Sequence, residues 1–306
     1  LDEANLTFLP KSIKNPVEVE NERIAHIKDG VALTKFICWL KKNVGKIPMT
    51  ELSAGEKLYS FRAQQENFID NSFDPIISYG IHAAINHYSA TPETDIAIEP
   101  GNFLLADTGG HYYEGTTDTT RTIVMGSVND EQKKYFTAVL RGMLNLGNAK
   151  FRYGCTGVNL DYLARGPLWE MGQDFNHGTG HGVGYLLNIH EGPTGFRWRI
   201  IQGDNAVLEE GMITSDEPGY YVENQYGIRH ENLLVCKKAE KTSFGQFMCF
   251  EHLTMVPFDL DAVVPELMTV QERALLNNYH AQVYKKISPY LEEEEKEWLK
   301  EATREI

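Results

Sequence analysis

This chain of 306 residues lacks long apolar runs, paired cysteines and clusters of basic residues. No stretch approaches the roughly eighteen apolar residues that a membrane-spanning helix needs. The opening residues, "LDEANLTFLPKSIKNP", contain no basic region followed by an apolar run, so we expect no signal peptide. They also lack a starting Met, which suggests a processed chain or a domain of something longer.

The charge and cysteine content exclude several classes of protein. Lys and Arg number 29 against 43 Asp and Glu, for a formal net charge of −14, which argues against nucleic-acid binding. The four cysteines form no CxxC pair, which favours a reduced, intracellular protein, although spacing alone leaves disulfides open. We therefore expect an ordinary globular protein of the cytoplasm, without nucleic-acid or membrane partners.

The order of helical and strand patterns predicts an α+β fold. A helix from Pro16 to about Val44 and a second from a capping box at Ser53 and Glu56 to about Gln65 precede three strands, "FDPIISYG", "FLLADTGG" and "TTRTIVMG". The later predicted elements are helices at about 129–147 and 157–171, strands at about 211–217, 227–236 and 246–256, and two tail helices that separate near Ser288–Pro289. This order indicates two similar α/β halves, roughly 15–150 and 155–260, within a domain at 1–260, followed by a C-terminal helical extension at 261–306.

Each half carries a pair of carboxylates around a turn that contains glycine. "ADTGGHYYEGTTDTTRT" places Asp107 at the end of one predicted strand and Asp118 at the start of the next, so a hairpin would bring both to the same end. "TSDEPGYYVENQYGIRHENLLV" holds Glu217 and Glu231, and Glu231 interrupts an otherwise apolar strand, where an unpaired charge is costly. For any single acid, turn capping or a salt bridge is the ordinary explanation. Four in such contexts suggest a cluster.

The segment "HGTGHGVGYLLNIHEGP", residues 177–193, adds three histidines among glycines that permit close backbone approach. Four converging carboxylates would repel one another strongly unless cations neutralised them. Oxygen-rich ligation with one histidine suits Mn²⁺ and permits Co²⁺ or Zn²⁺. Two such ions, about 3.5–4 Å apart, can lower the pKa of a water that bridges them. A tight turn with incidental histidines is the alternative.

The motifs "INHYSATPET", "ADTGGHYYEGTTDTTRT", "HGTGHGVGYLLNIHEGP", "TSDEPGYY" and "GIRHEN", in this order and spacing, resemble the catalytic domain of the aminopeptidase P (Xaa-Pro aminopeptidase) family. The resemblance covers nearly the whole chain and implies a pita-bread fold with two divalent metal ions. It implies five metal ligands, of which two would bridge both ions (Asp118, Glu231), one would complete the first site (Asp107) and two would complete the second (His181, Glu217).

The resemblance also implies the chemistry. A hydroxide that bridges the metals would attack the carbonyl before proline, with Glu217 as proton shuttle. Three histidines would orient substrate and stabilise the transition state (His87, His177, His190). Arg229 would support a metal-binding carboxylate, or form an ordinary salt bridge, and Tyr221 would contact substrate or merely pack. His230 should point to the opposite face and bind no metal. We expect substrates with proline second and a homodimer.

Three alternatives stay open. Prolidase, which cuts Xaa-Pro dipeptides, shares the ligand set. Methionine aminopeptidase fits the histidine segment and the helical extension less well. Pita-bread domains that serve only as peptide- or protein-binding modules usually lack metal ligands, whereas all five candidates are intact here.

Overall fold

The computed structural model describes residues 5–306, so the first four residues of the expected catalytic domain lie outside the described part. The helices are α1 (Phe8–Ser12), α2 (Pro16–Asn43), α3 (Glu51–Arg62), α4 (Asp130–Gly147), α5 (Gly157–Leu160), α6 (Tyr162–Trp169), α7 (Val270–Ile287) and α8 (Glu293–Ala302). The strands are β1 (Phe68–Asn71), β2 (Ile76–Tyr79), β3 (Asn102–Thr108), β4 (Gly110–Tyr112), β5 (Gly115–Thr116), β6 (Thr119–Met125), β7 (Lys150–Arg152), β8 (Ile213–Asp216), β9 (Gly219–Val222), β10 (Tyr226–Arg229), β11 (Asn232–Thr242) and β12 (Gly245–His252).

The helix starts follow from side-chain capping. The Asn15 side chain accepts hydrogen bonds from the amides of Val17 and Glu18, as expected for the start of α2. The prediction for α3 is wrong by one turn, because the capping box is Thr50 with Ser53 and the helix begins at Glu51. The predicted helix at 157–171 is two short helices, α5 and α6.

Two antiparallel sheets form the framework, one in each half of the chain. The first has the order β2-β3-β6 and the second β7-β12-β11-β8, while β1-β4-β5 and β10-β9 are smaller sheets. In the first sheet, Asp107 pairs with Thr120 and Thr108 with Thr119, so the turn returns the chain to the same end as predicted. The predicted strand at 227–236 breaks between β10 and β11, which belong to different sheets.

The C-terminal helices complete the core rather than project from it. Leu276, Val283 and Ile287 of α7 are buried in the same apolar cluster as Phe136 and Leu140 of α4. Helix α8 pairs with α2 through ion pairs, including Lys42 Nζ to Glu294 Oε1 at 2.8 Å. No helix within residues 5–306 has the length and apolarity that crossing a membrane requires.

Candidate metal centre

The five predicted ligands meet in one cavity of about 340 Å³. Asp107 lies in β3 and Asp118 directly before β6, so the first sheet supplies both aspartates. Glu217 directly follows β8, and Glu231 lies in the break between β10 and β11 rather than within a strand. The glycine-rich segment contains His181. Its backbone is fixed by the Ser215 amide, which donates a hydrogen bond to the His181 carbonyl at 2.8 Å.

The His181 ring is oriented as a ligand. Its Nδ1 donates to the Gly182 carbonyl at 3.0 Å, which leaves Nε2 to face the acids. Nε2 lies 3.6 Å from Asp118 Oδ2 and 3.4 Å from Glu217 Oε1. One atom each from Asp118, His181 and Glu231 lie within 4.8 Å of one another, which is close enough for a shared ion.

The electrostatics of the cavity call for cations. Burial, together with the charges of Asp107 and Glu217, raises the pKa of Asp118 well above its ordinary value. The pKa of Glu231 is raised in the same way, first by burial and then by the neighbouring acids. The buried Oδ1 of Asp107 has no hydrogen-bond partner among the described residues. The four carboxylates repel one another, and one of their oxygens, Asp107 Oδ1, lacks a partner within the described chain. Together with the imidazole of His181, they form a set of ligands that fits a pair of divalent cations.

Three polar side chains orient the acids. Thr120 Oγ1 donates to Glu231 Oε2 at 2.7 Å, and Ser215 Oγ donates to Glu217 Oε1 at 3.0 Å. Arg229 Nη2 donates to Asp107 Oδ2 at 2.6 Å, so this arginine contacts a carboxylate of the cluster, although not the neighbouring Glu231. Such contacts fix the directions of ligand oxygens before an ion binds.

The three other predicted histidines also line the cavity. The rings of His87 and His190 have no hydrogen-bond partner in the described chain, so their nitrogens are available to a ligand. The edge of the His190 ring lies against His181, with 4.2 Å between ring centroids. His177 differs, because its Nδ1 donates to the Gly178 carbonyl at 2.8 Å and its Nε2 lies 2.9 Å from the Tyr221 hydroxyl. Arg229 Nη1 also donates to that hydroxyl, at 2.8 Å.

Sequence reasoning missed several residues around the cavity. Thr120 and Ser215 stand inside quoted motifs, yet a hydroxyl in a strand carries no signal of its own. Five further residues line the cavity (Phe73, Ile76, Asn86, Gly178, Arg197). His230 lies away from them, buried with its ring edge against Phe136 at 4.3 Å, and burial lowers its pKa to about 3.

Comparison with known proteins gives a consistent result. The model of metallopeptidase family M24 matches residues 20–238, and that of the C-terminal region of peptidase M24 matches residues 246–306. A probable Xaa-Pro aminopeptidase P of Paracoccidioides brasiliensis (strain Pb03) is 43% identical over 97% of this chain and 49% of its own length.

Solved structures agree with the sequence relatives. The crystal structure of an X-prolyl aminopeptidase from Caenorhabditis elegans, described as a cytosolic enzyme with a di-nuclear active site, superposes with a TM-score of 0.94 at 37% identity, over 99% of this chain and 50% of that one. The Xaa-Pro dipeptidase from Bacillus anthracis gives 0.69 at 29% identity, over 84% and 66%. The chain thus spans about half the length of the aminopeptidase relatives it matches.

Proposed function

Because this chain belongs to metallopeptidase family M24, we propose that it hydrolyses the bond between an N-terminal residue and a proline in second position, and so releases the first residue. The observation that carries the proposal is the convergence of four carboxylates and His181 in one cavity, with His87 and His190 beside them. The Xaa-Pro aminopeptidase relatives match nearly all of this chain. Proline makes the bond a tertiary amide with a restricted φ, which suits a dedicated enzyme.

The cavity residues would hold two divalent metal ions. The ions would be held by five side chains of the cavity (Asp107, Asp118, His181, Glu217, Glu231). When bound, the ions supply positive charge and activate a water as nucleophile. We propose Mn²⁺, since oxygen ligands dominate the set, with Co²⁺ or Zn²⁺ as substitutes. Chelation should abolish hydrolysis, and addition of single metals should identify which one restores it.

Glu217 would move the proton. Burial favours its neutral form, but His181, Arg229 and the hydrogen bond from the Ser215 hydroxyl outweigh that effect and lower its pKa. The carboxylate is therefore ionised near neutral pH and can accept a proton from the attacking water. Its Oε1 is fixed by the Ser215 hydroxyl, so Oε2 would carry the proton to the departing proline nitrogen.

The histidines and Tyr221 would bind and orient the peptide. His87 and His190 have ring nitrogens free to donate to a substrate carbonyl, a contact that is stronger when charge develops on its oxygen. Burial lowers the pKa of His177 to about 4 and keeps it neutral, and its one proton is on Nδ1, so its Nε2 would accept a hydrogen bond from the Tyr221 hydroxyl or from an N–H of the substrate. Arg229 would hold Asp107 and Tyr221 in place.

One comparison separates this function from that of prolidase. The purified chain should hydrolyse Xaa-Pro-Xaa tripeptides and longer peptides as well as, or better than, Xaa-Pro dipeptides. Rapid cleavage of the dipeptide alone would favour the prolidase alternative instead. The greater similarity to an X-prolyl aminopeptidase than to an Xaa-Pro dipeptidase supports the first expectation.

A binding module without catalysis is the other alternative. Metal analysis of the chain after metal supplementation distinguishes it, because an enzyme should retain close to two ions whereas a module that has lost its site should retain none. The intact ligand set supports the enzyme.

We also propose a cytosolic homodimer with a catalytic domain at 1–260 and a helical extension at 261–306. The X-prolyl aminopeptidase from C. elegans is described as a cytosolic enzyme, which supports a location in the cytosol. Light scattering coupled to size-exclusion chromatography measures the oligomeric state directly, and a monomer mass would contradict the dimer.

A further inference from the structure

A buried ion pair lies next to the segment 177–181, which we call the histidine loop. Asp161 directly precedes α6 and Arg165 lies one turn later, and both side chains are almost completely buried. Arg165 Nε donates to Asp161 Oδ2 at 2.7 Å. Neither residue lines the cavity. Burying two charges removes them from water at a cost that their attraction often fails to offset, so stability alone is a weak reason for this pair.

Arg165 contacts His177 by two routes. Its Nη2 donates to the His177 carbonyl at 2.8 Å, and its Nη1 donates to the Phe175 carbonyl at 2.7 Å. The guanidinium also lies over the Phe175 ring, 3.9 Å from its centroid, and that ring lies 4.8 Å from the ring of His177. One buried cation thus restrains both the backbone and the imidazole of His177.

Asp161 contacts the middle of the same loop. Its Oδ1 accepts a hydrogen bond from Thr179 Oγ1 at 2.6 Å. The Thr179 carbonyl in turn accepts from the Glu217 amide at 2.8 Å, and the Thr179 amide donates to the Phe196 carbonyl at 2.9 Å. Thr179 therefore joins the ion pair to Glu217, on the far side of the loop.

We infer that Asp161, Arg165 and Thr179 form a clamp of positioning residues that fixes the histidine loop and, through it, His177 and Glu217. Each member is buried, and each acts on the cavity through a backbone group or an intervening ring rather than by touching a ligand. Fixing these groups before a peptide binds removes the need to order them during the reaction. The consequence for catalysis rests on the proposed function, whereas the restraint of the loop does not.

The sharpest test removes one hydroxyl. Thr179→Val keeps the shape of the side chain and deletes the hydrogen bond to Asp161, while Thr179→Ser retains it. Thr137→Val is the matched control, because Thr137 of α4 is equally buried and its Oγ1 accepts a hydrogen bond from the Val264 amide at 3.0 Å. Thr137 is far from the histidine loop in sequence and does not line the cavity. Arg165→Lys, which keeps the charge but loses the forked geometry, is the second variant if Thr179→Val fails to fold.

Hydrogen–deuterium exchange of the metal-free chain gives a readout that does not depend on activity. In Thr179→Val, the amides of Thr179, Gly180 and Glu217 should exchange about tenfold faster than in the wild type, as loss of one buried hydrogen bond predicts. Thr179→Ser should restore protection and Thr137→Val should leave these amides unchanged. Unchanged exchange in Thr179→Val, or equal acceleration in the control, would overturn the clamp.

Kinetics test its role in the reaction. Thr179→Val should lower kcat about tenfold while KM stays within about twofold and the bound metal per chain is unchanged, because a loosened loop misplaces groups that act in the transition state. Thr179→Ser should recover most of kcat. A rise in KM alone, or an unchanged kcat, would contradict a positioning role. If the wild type hydrolyses no peptide, the proposed function fails, and the exchange measurement still decides whether the clamp exists.

Discussion

At the scale of single residues, the buried acids repel one another when no metal is bound. Replacing one of them should therefore stabilise the metal-free chain but impair metal binding. The pKa of Asp118 is raised by burial and by Asp107 and Glu217, so its ionised form destabilises the metal-free fold. Asp118→Asn should therefore raise the melting temperature of the metal-free chain by a few degrees. The same variant should bind metal poorly and lose activity, because it removes one of the carboxylates that we propose to hold the ions.

Scanning fluorimetry with and without added Mn²⁺, together with metal analysis, checks both halves of this prediction. Asp70→Asn is a suitable control, since Asp70 is exposed and its Oδ1 contacts only the adjacent Asn71 amide. A metal-free Asp118→Asn chain that melts below the wild type would show that Asp118 stabilises the fold by some contact other than metal binding.

Single residues also show where sequence reasoning reaches its limit. The four acids of the cavity were predictable as a group (Asp107, Asp118, Glu217, Glu231). Aspartates at the ends of predicted strands and a glutamate inside an apolar strand are unusual enough to need an explanation. Thr120 and Ser215 were not, since a hydroxyl in a strand is ordinary until its acceptor is known. The partner of Arg229 was also beyond prediction, because a contact with Asp107 depends on how β10 and β3 meet across 122 residues of chain.

At the scale of elements, Glu22 in α2 predicts a pH-dependent contribution to stability. Burial raises the pKa of Glu22 from 4.5 to about 8, partly opposed by the Thr116 amide that donates to it. Because the folded pKa is above the unfolded one, the contribution of Glu22 is complete below about pH 4.5 and is lost as the pH rises to about 8. Glu22→Gln keeps an acceptor for Thr116 and cannot ionise. The free energy of unfolding of this variant should fall less than that of the wild type over the same range.

Urea unfolding at several pH values measures this difference. Glu20→Gln, an exposed position on the same helix, is the matched control and should keep the wild-type slope. Equal slopes for Glu22→Gln and the wild type would show that Glu22 has the same proton affinity in both states.

Helices were easier to predict than the junctions between strands. The starts of α2 and α4 follow from Asn15 and Asn129, whose side chains cap them, and such signals are local. The break between β10 and β11 has no local signal, because "GIRHENLLV" alternates no differently from a continuous strand. It arises from the two sheets that each part joins, and it places Glu231 at the cavity.

At the scale of the whole molecule, the C-terminal helices are coupled to the candidate metal centre. Tyr279 of α7 accepts a hydrogen bond from Arg121 Nη2 at 3.0 Å, and Arg121 Nη1 donates to the Glu231 carbonyl at 2.5 Å. Tyr279→Phe should therefore weaken metal affinity as well as lower the melting temperature by a few degrees. Tyr284→Phe, on the same helix and partly buried, should change neither by a comparable amount. Isothermal titration with Mn²⁺ tests this, and an unchanged affinity in Tyr279→Phe would contradict the coupling.

Metal ions and protons compete for the buried carboxylates, and this competition should affect the stability of the whole chain. In the metal-free chain the pKa values of Asp118 and Glu231 are raised, so the folded state binds protons more tightly than the unfolded state. Its stability should therefore decline as the pH rises, and metal ions should replace the protons that are lost. Removing metal should lower the melting temperature, and restoring it should raise that temperature more at about pH 8 than at about pH 6, since fewer protons then compete for the same oxygens. Scanning fluorimetry of chelated and reloaded protein at both pH values measures the two gains. Equal increases in melting temperature at the two pH values would mean that the buried acids release no protons when metal binds. Asp118→Asn, which lacks one of these carboxylates, should show a much smaller increase at either pH.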